Sequence, residues 1–121
     1  MNDDTVSWEN VRASNVTGTN VYNGQGDHLG QVDDIVIGKK DGTVKYAILS
    51  IGGFLGLGKD YHPVPWAELT YSEDQDGFVI SRTQEQLADA PRYSADDEPN
   101  WNDRDYGKRV HDYYGLPYGL P

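Results

Sequence analysis

Apolar and polar positions along this chain change rhythm every few residues, and the changes predict short strands more often than helices. Residues 19–22 form a first β-favouring run, closed by Asn23, Gly24, Gln25, Gly26 and Asp27, whose glycines and asparagine permit the positive φ of a tight turn. Within 28–37 the apolar residues Leu29, Val32, Ile35 and Ile37 break a period of two, which predicts a bulge or a bend inside the strand. Lys39, Lys40, Asp41 and Gly42 then make a hairpin turn. The return run 44–51 places Val44, Tyr46, Ile48 and Ser50 on one face and Lys45, Ala47, Leu49 and Ile51 on the other. Both faces turn apolar toward its end, as in a central strand.

Beyond a glycine-rich stretch, residues 61–65 can form only an edge or irregular strand, because Pro63 and Pro65 have no amide hydrogen to give a ladder. Trp66, Ala67 and Glu68 turn the chain, and 69–72 and 78–81 make a last hairpin about the polar residues 73–77. Thr83 followed three residues later by Gln86 is a capping box, so a short helix is expected over 83–90, with Leu87 and Ala90 facing the sheet and Pro91 stopping it. From Ser94 onward the chain is rich in Asp, Gly, Pro and Tyr, and we read it as an extended or disordered tail without a regular period. Its large side chains, Trp101, Tyr106, Val110, Tyr113, Tyr114, Leu116 and Tyr118, are too many for a solvated tail, so some are expected to dock on the barrel or on a second subunit. The organisation is then a leader over 1–13 with Trp8 and Val11 as its anchors, one domain over 14–93, and a tail over 94–121.

The stretch GGFLGLGKD, residues 52–60, poses a chemical question, since from Gly53 it fits the spacing of a phosphate-binding loop after a strand. Such a loop needs a Ser or Thr hydroxyl for Mg²⁺ after its lysine and a helix behind it. Here Asp60 occupies the hydroxyl position, and Pro63 and Pro65 keep the following residues extended. The glycines serve instead a loop of unusual backbone angles, and Phe54, Leu55 and Leu57 offer apolar surface for a barrel end or a partner.

Charge narrows the function further. The net charge of −10 repels a phosphate backbone and an anionic membrane surface alike. The chain has no cysteine, no start resembling a secretory signal and no run near the roughly 20 apolar residues of a membrane span, from which we expect a soluble, cytoplasmic protein. Apolar residues make up 36% of the sequence, below the globular average, in keeping with segments outside the core. His28, His62 and His111 fall in a turn, beside the prolines and in the tail, and are expected to be isolated surface histidines rather than a zinc site. Asp33 and Asp34 are adjacent on a strand, which would point them to opposite faces and prevent them from sharing a proton or a cation.

Several pieces together resemble the PRC-barrel domains, named for the cytoplasmic domain of the photosynthetic reaction centre H subunit. They are Gly18, Val21, Tyr22 and Asn23; GDHLGQVDDIVI over 26–37; GGFLGLGK over 52–59; Val64, Pro65 and Trp66; and LADAPRY over 87–93. The resemblance runs from about Ser14 to Tyr93. It implies an all-β fold, a small, six-stranded, highly bent barrel, here with one short C-terminal helix and an extended tail. It also implies a noncatalytic module that holds a protein or an assembly, and an acidic pair at Asp33 and Asp34 that hydrogen-bonds backbone amides at the bend. The transmembrane helix of the H subunit and the N-terminal domain of the ribosome-maturation factor of this type have no counterpart in these residues, so neither specific role is carried over, and the sequence looks like the short stand-alone bacterial members.

The expected function is therefore protein–protein interaction or assembly, with self-association as a homodimer or larger homo-oligomer and an unidentified protein partner. The contact residues expected are Phe54, Leu55, Leu57, Trp101, Tyr106, Tyr113 and Tyr114. No catalytic residue, cofactor, metal or nucleic acid is assigned. The alternative is a small-ligand or cation-binding barrel, with the Asp33 and Asp34 region and the glycine loop lining a pocket.

Overall fold

The computed structural model describes residues 10–51 and 60–118, so the glycine loop with Phe54, Leu55 and Leu57 and most of the leader lie outside the described residues. A short helix α1 (Ala13–Val16) leads into β1 (Asn20–Tyr22), β2 (His28–Ile37) and β3 (Val44–Ile51). After the undescribed segment come β4 (Asp60–Pro65), a 3-10 turn (Trp66–Glu68), β5 (Leu69–Ser72), β6 (Gly77–Ile80) and α2 (Gln84–Ala88). The chain ends with β7 (Tyr93–Ser94), a second 3-10 turn (Ala95–Asp97) and α3 (Arg104–Tyr114).

The strands form one sheet in the order β5-β6-β1-β2-β3-β4-β7, antiparallel except for the parallel pair β1 and β6. The predicted hairpins, the bulged second strand and the central third strand are all present. On β3 the residues Tyr46, Ala47, Ile48, Leu49 and Ser50 are all buried, as a strand covered on both faces requires. The turn at Asp41 is closed by the amide and hydroxyl of Thr43, at 3.0 and 2.9 Å, and by Lys45 Nζ at 2.7 Å. These bonds, Lys45's first, lower the Asp41 carboxyl to about 2.

Two expectations need correction. Among the described residues the sheet has seven strands in linear order rather than six, and it is open, since β5 and β7 do not pair. The additional strand β7 is two residues long, pairing Ser94 with Asp60 and Tyr93 with Tyr61, too short for any alternation to announce it. The tail is not extended either, because residues 104–114 form the longest helix of the described chain.

That helix docks against β4 of its own sheet. Val110 is completely buried and Tyr114 is 3% exposed, so both join the core cluster with Leu49, Val64, Ile80 and Leu87. Full burial of one such apolar side chain is worth roughly 1.5–3 kcal/mol, enough to hold an eleven-residue helix that would be marginal alone. Arg82 secures the far end: its Nε donates to Glu68 Oε1 at 2.9 Å, an Nη donates to the Tyr114 carbonyl at 3.0 Å, and the guanidinium lies 5.3 Å from the Tyr114 ring centre. The short helix α2 begins as expected, with the Thr83 hydroxyl accepting from the Gln86 amide and the Gln86 side chain accepting from the Thr83 amide.

Candidate functional site

A half-open cleft of about 390 Å³ lies between the bulge of β2 and the segment that leads into α3. Its polar rim is Asp33, Asp34 and Glu98, and its walls are the rings of Tyr61, Tyr93 and Trp101 above a floor at Ile48. Four separate parts of the chain converge here. The ladder between β2 and β3 steps from Val32 opposite Leu49 to Asp34 opposite Ile48, so Asp33 has no cross-strand partner. That extra residue resets the alternation of side chains. Both carboxylates consequently line one cleft, and the expectation that Asp33 and Asp34 point to opposite faces fails for this reason. The expected hydrogen bond at the bend is made by Asp34, whose Oδ1 accepts from the Ile35 amide at 2.8 Å.

Tyr61 and Tyr93 sit opposite one another on β4 and β7 and stack at 5.5 Å between ring centres, 27° from parallel. Trp101 meets Tyr93 edge to face at 5.8 Å, and its Nε1 donates to Glu98 at 2.6 Å, which fixes that carboxylate at the rim. Burial first, then the negative charge of Glu98 and of Asp33 and Asp34, pushes the Tyr93 phenol above the ordinary tyrosine range. The Tyr93 phenol is therefore neutral at neutral pH.

The contact residues expected from the sequence divide between two places. Trp101 and Tyr106 come together, with ring centres 6.0 Å apart, and both are half-buried. Tyr113 and Tyr114 lie elsewhere on α3 with rings 5.2 Å apart; the Tyr113 hydroxyl donates to the Gln86 carbonyl and its residue is 37% exposed. Tyr114 is spent on the chain's own core. Tyr61 and Tyr93 were not singled out by the sequence, although Tyr93 closes the LADAPRY stretch and Tyr61 directly precedes the proline strand.

Of the histidines, His28 is exposed and contacts the Asn20 side chain at 2.9 Å. His62, by contrast, is 4% exposed, which corrects the expectation of a surface residue: it lies opposite Leu49 in a strand covered by α3. Burial lowers its pKa, an effect only partly offset by Asp60 and by the nearby backbone. Among the described residues, no group of three His, Asp or Glu is placed to hold a metal ion. A second, wider groove beside α3 mixes Asp60, Asp89, Asp97 and Asp112 with Arg92 and Arg109. Arg92 is already engaged there by Asp60 Oδ2 at 3.2 Å and by the Ala88 carbonyl at 2.7 Å.

The open, bulged sheet followed by a capped helix agrees with one class of small β domain, and comparison with known families identifies it. The chain belongs to the PRC-barrel domain family, whose model matches residues 9–87. It is also similar to an uncharacterized protein of Deinococcus radiodurans, 25% identical over 109 residues. That match covers 90% of this chain and 39% of the Deinococcus protein, so the chain spans less than half the length of that relative. Among the described residues no helix is long and apolar enough to cross a membrane.

Proposed function

We propose that this chain is a noncatalytic PRC-barrel module that acts in protein–protein interaction or assembly, in the cytoplasm, and that it self-associates. The observation that carries the reading is the cleft at the β2 bulge, where rings from two strands and from the connection before α3 keep exposed area while carboxylates stand at the rim. Half-exposed aromatic side chains beside polar groups are what a protein contact uses, because they add large apolar area at small cost in side-chain freedom. The net charge of −10 supports a protein partner over nucleic acid or an anionic lipid surface. Self-association is supported by the sequence of residues 52–59, where Phe54, Leu55 and Leu57 stand among glycines with little local chain to cover them.

The same cleft favours a second reading, a small-ligand or cation-binding barrel, since it forms at Asp33 and Asp34. The two readings divide on whether the occupant is free or part of a protein.

Size exclusion coupled to light scattering tests the assembly reading. The wild-type chain is expected to run as a dimer or larger species. Leu55→Asp, which would bury an unpaired carboxylate in the contact, is expected to shift it toward monomer. A wild-type monomer at high protein concentration would remove self-association from the reading.

A further inference from the structure

We propose that the cleft binds the protonated side chain, arginine or lysine, of a basic segment in a protein partner, an inference that rests on the interaction-module reading above. Three observations converge on a cation. The rings of Tyr61, Tyr93 and Trp101 line the cleft at different inclinations, one pair stacked at 27° and the next crossed at 73°. A cationic group entering there meets the negative faces or hydroxyls of several rings at once. Three carboxylates stand on the same rim, and among the described residues the Asp33 carboxylate has no hydrogen-bond or ion-pair partner.

No Lys or Arg lines this cleft, whereas the neighbouring groove carries Arg92 and Arg109 among its aspartates. The groove meets part of its charge from within; the cleft leaves all of its charge to be met from outside. Its half-open form suits a side chain presented by a larger body better than a small molecule that must be enclosed on most sides. The acidity of the whole chain adds long-range attraction for a basic partner. Guanidinium fits the site especially well, because it stacks on a ring while its edge donates to a carboxylate.

The experiment is a titration of the full chain, observed by nitrogen–proton correlation spectra, with blocked tripeptides Gly-Arg-Gly, Gly-Lys-Gly and Gly-citrulline-Gly and with tetramethylammonium chloride. The arginine and lysine peptides are expected to move the indole resonance of Trp101 and the amide of Tyr93, with citrulline binding about tenfold or more weaker. Replacing both Asp33→Asn and Asp34→Asn is expected to weaken the cationic peptides by about tenfold, and added salt to weaken them in the wild type. Citrulline binding as well as arginine overturns the proposal. So does an unchanged affinity in the doubly substituted chain with its sheet resonances intact. Tetramethylammonium binding as tightly as the arginine peptide overturns the protein source and transfers the site to free small cations. Should the double substitution fail to fold, the comparison of arginine with citrulline on the wild-type chain decides alone. None of these outcomes touches the oligomeric state, which decides the self-association part of the proposed function, so the two can fail separately.

Discussion

The carboxamide of Asn23, 8% exposed, closes the first turn through three hydrogen bonds. Its Oδ1 accepts from the amides of Gln25 and Asp27, both at 2.9 Å, and its Nδ2 donates to the Asp27 carboxylate at 3.1 Å. Gly26, at φ 88°, completes the reversal in a conformation that a side chain would strain. Asn23→Ala would strand two amides, and the expected loss is roughly 1–3 kcal/mol; Asn23→Asp keeps the acceptor but sets a second carboxylate against that of Asp27, so it should lose stability as well. Urea unfolding checks this, with a lower midpoint at unchanged slope as the expected result. Gly30 is constrained differently: a Cβ there would stand 2.1 Å from the Ser50 carbonyl oxygen, so the close pairing of β2 with β3 beside the bulge requires glycine. Side chains and backbone at single positions thus hold the start of the strand that presents Asp33 and Asp34.

At the scale of elements, α3 depends on its ends. Asp103 Oδ1 accepts from the amides of Asp105 at 2.9 Å and Tyr106 at 3.4 Å. Gly115, at φ 71°, ends the helix in a Schellman motif, its amide donating to the Asp112 carbonyl and the Leu116 amide to the His111 carbonyl. Asp103→Ala and Gly115→Ala should each cost about 1 kcal/mol, and nearly twice that together, because the sites are a helix length apart. Amide hydrogen exchange along α3 measures it; unchanged protection in the double variant would deny the caps their role. These caps also show what the sequence offered and what it concealed. The hairpins, the capping box before α2 and the bulge in β2 were legible because each has a local signal, Asn23 to Asp27, Thr83 with Gln86, and the broken period at Leu29 and Val32. The helix carried signals too: Tyr106, Val110, Tyr113 and Tyr114 follow helical spacing between Asp103 and Gly115, but the Asp, Gly and Pro around them masked it. The acidic pair was recognisable as a special place. The meeting of Tyr61, Tyr93 and Trp101 was not, since it depends on the two-residue pairing of β7 with β4 and on where the docked tail lies.

Across the whole molecule, the tail is held to the sheet through a group of phenols. Burial first raises Tyr46 to about 12, and it lifts Tyr93, Tyr106 and Tyr114 above their ordinary value as well. An unfolded tyrosine loses its proton near 10, so between about 10 and 12 the unfolded chain has released protons that the folded chain keeps. Stability contributed by these rings is therefore complete below about pH 10 and is lost as pH rises beyond it, in the case of Tyr46 through about 12. Tyrosinate absorbance followed alongside circular dichroism should show ionisation of these rings and loss of structure rising together; ionisation at an ordinary value with structure intact would argue that the tail is not docked. An open sheet also has ends to protect. On β4, Pro63 and Pro65 face Ile48 and Tyr46 and have no amide to offer a further strand, β7 occupies only Asp60 and Tyr61, and α3 lies against the same strand. A growing cross-β fibril recruits its next strand through a continuous row of backbone donors, and at this end of the sheet the row stops after two residues.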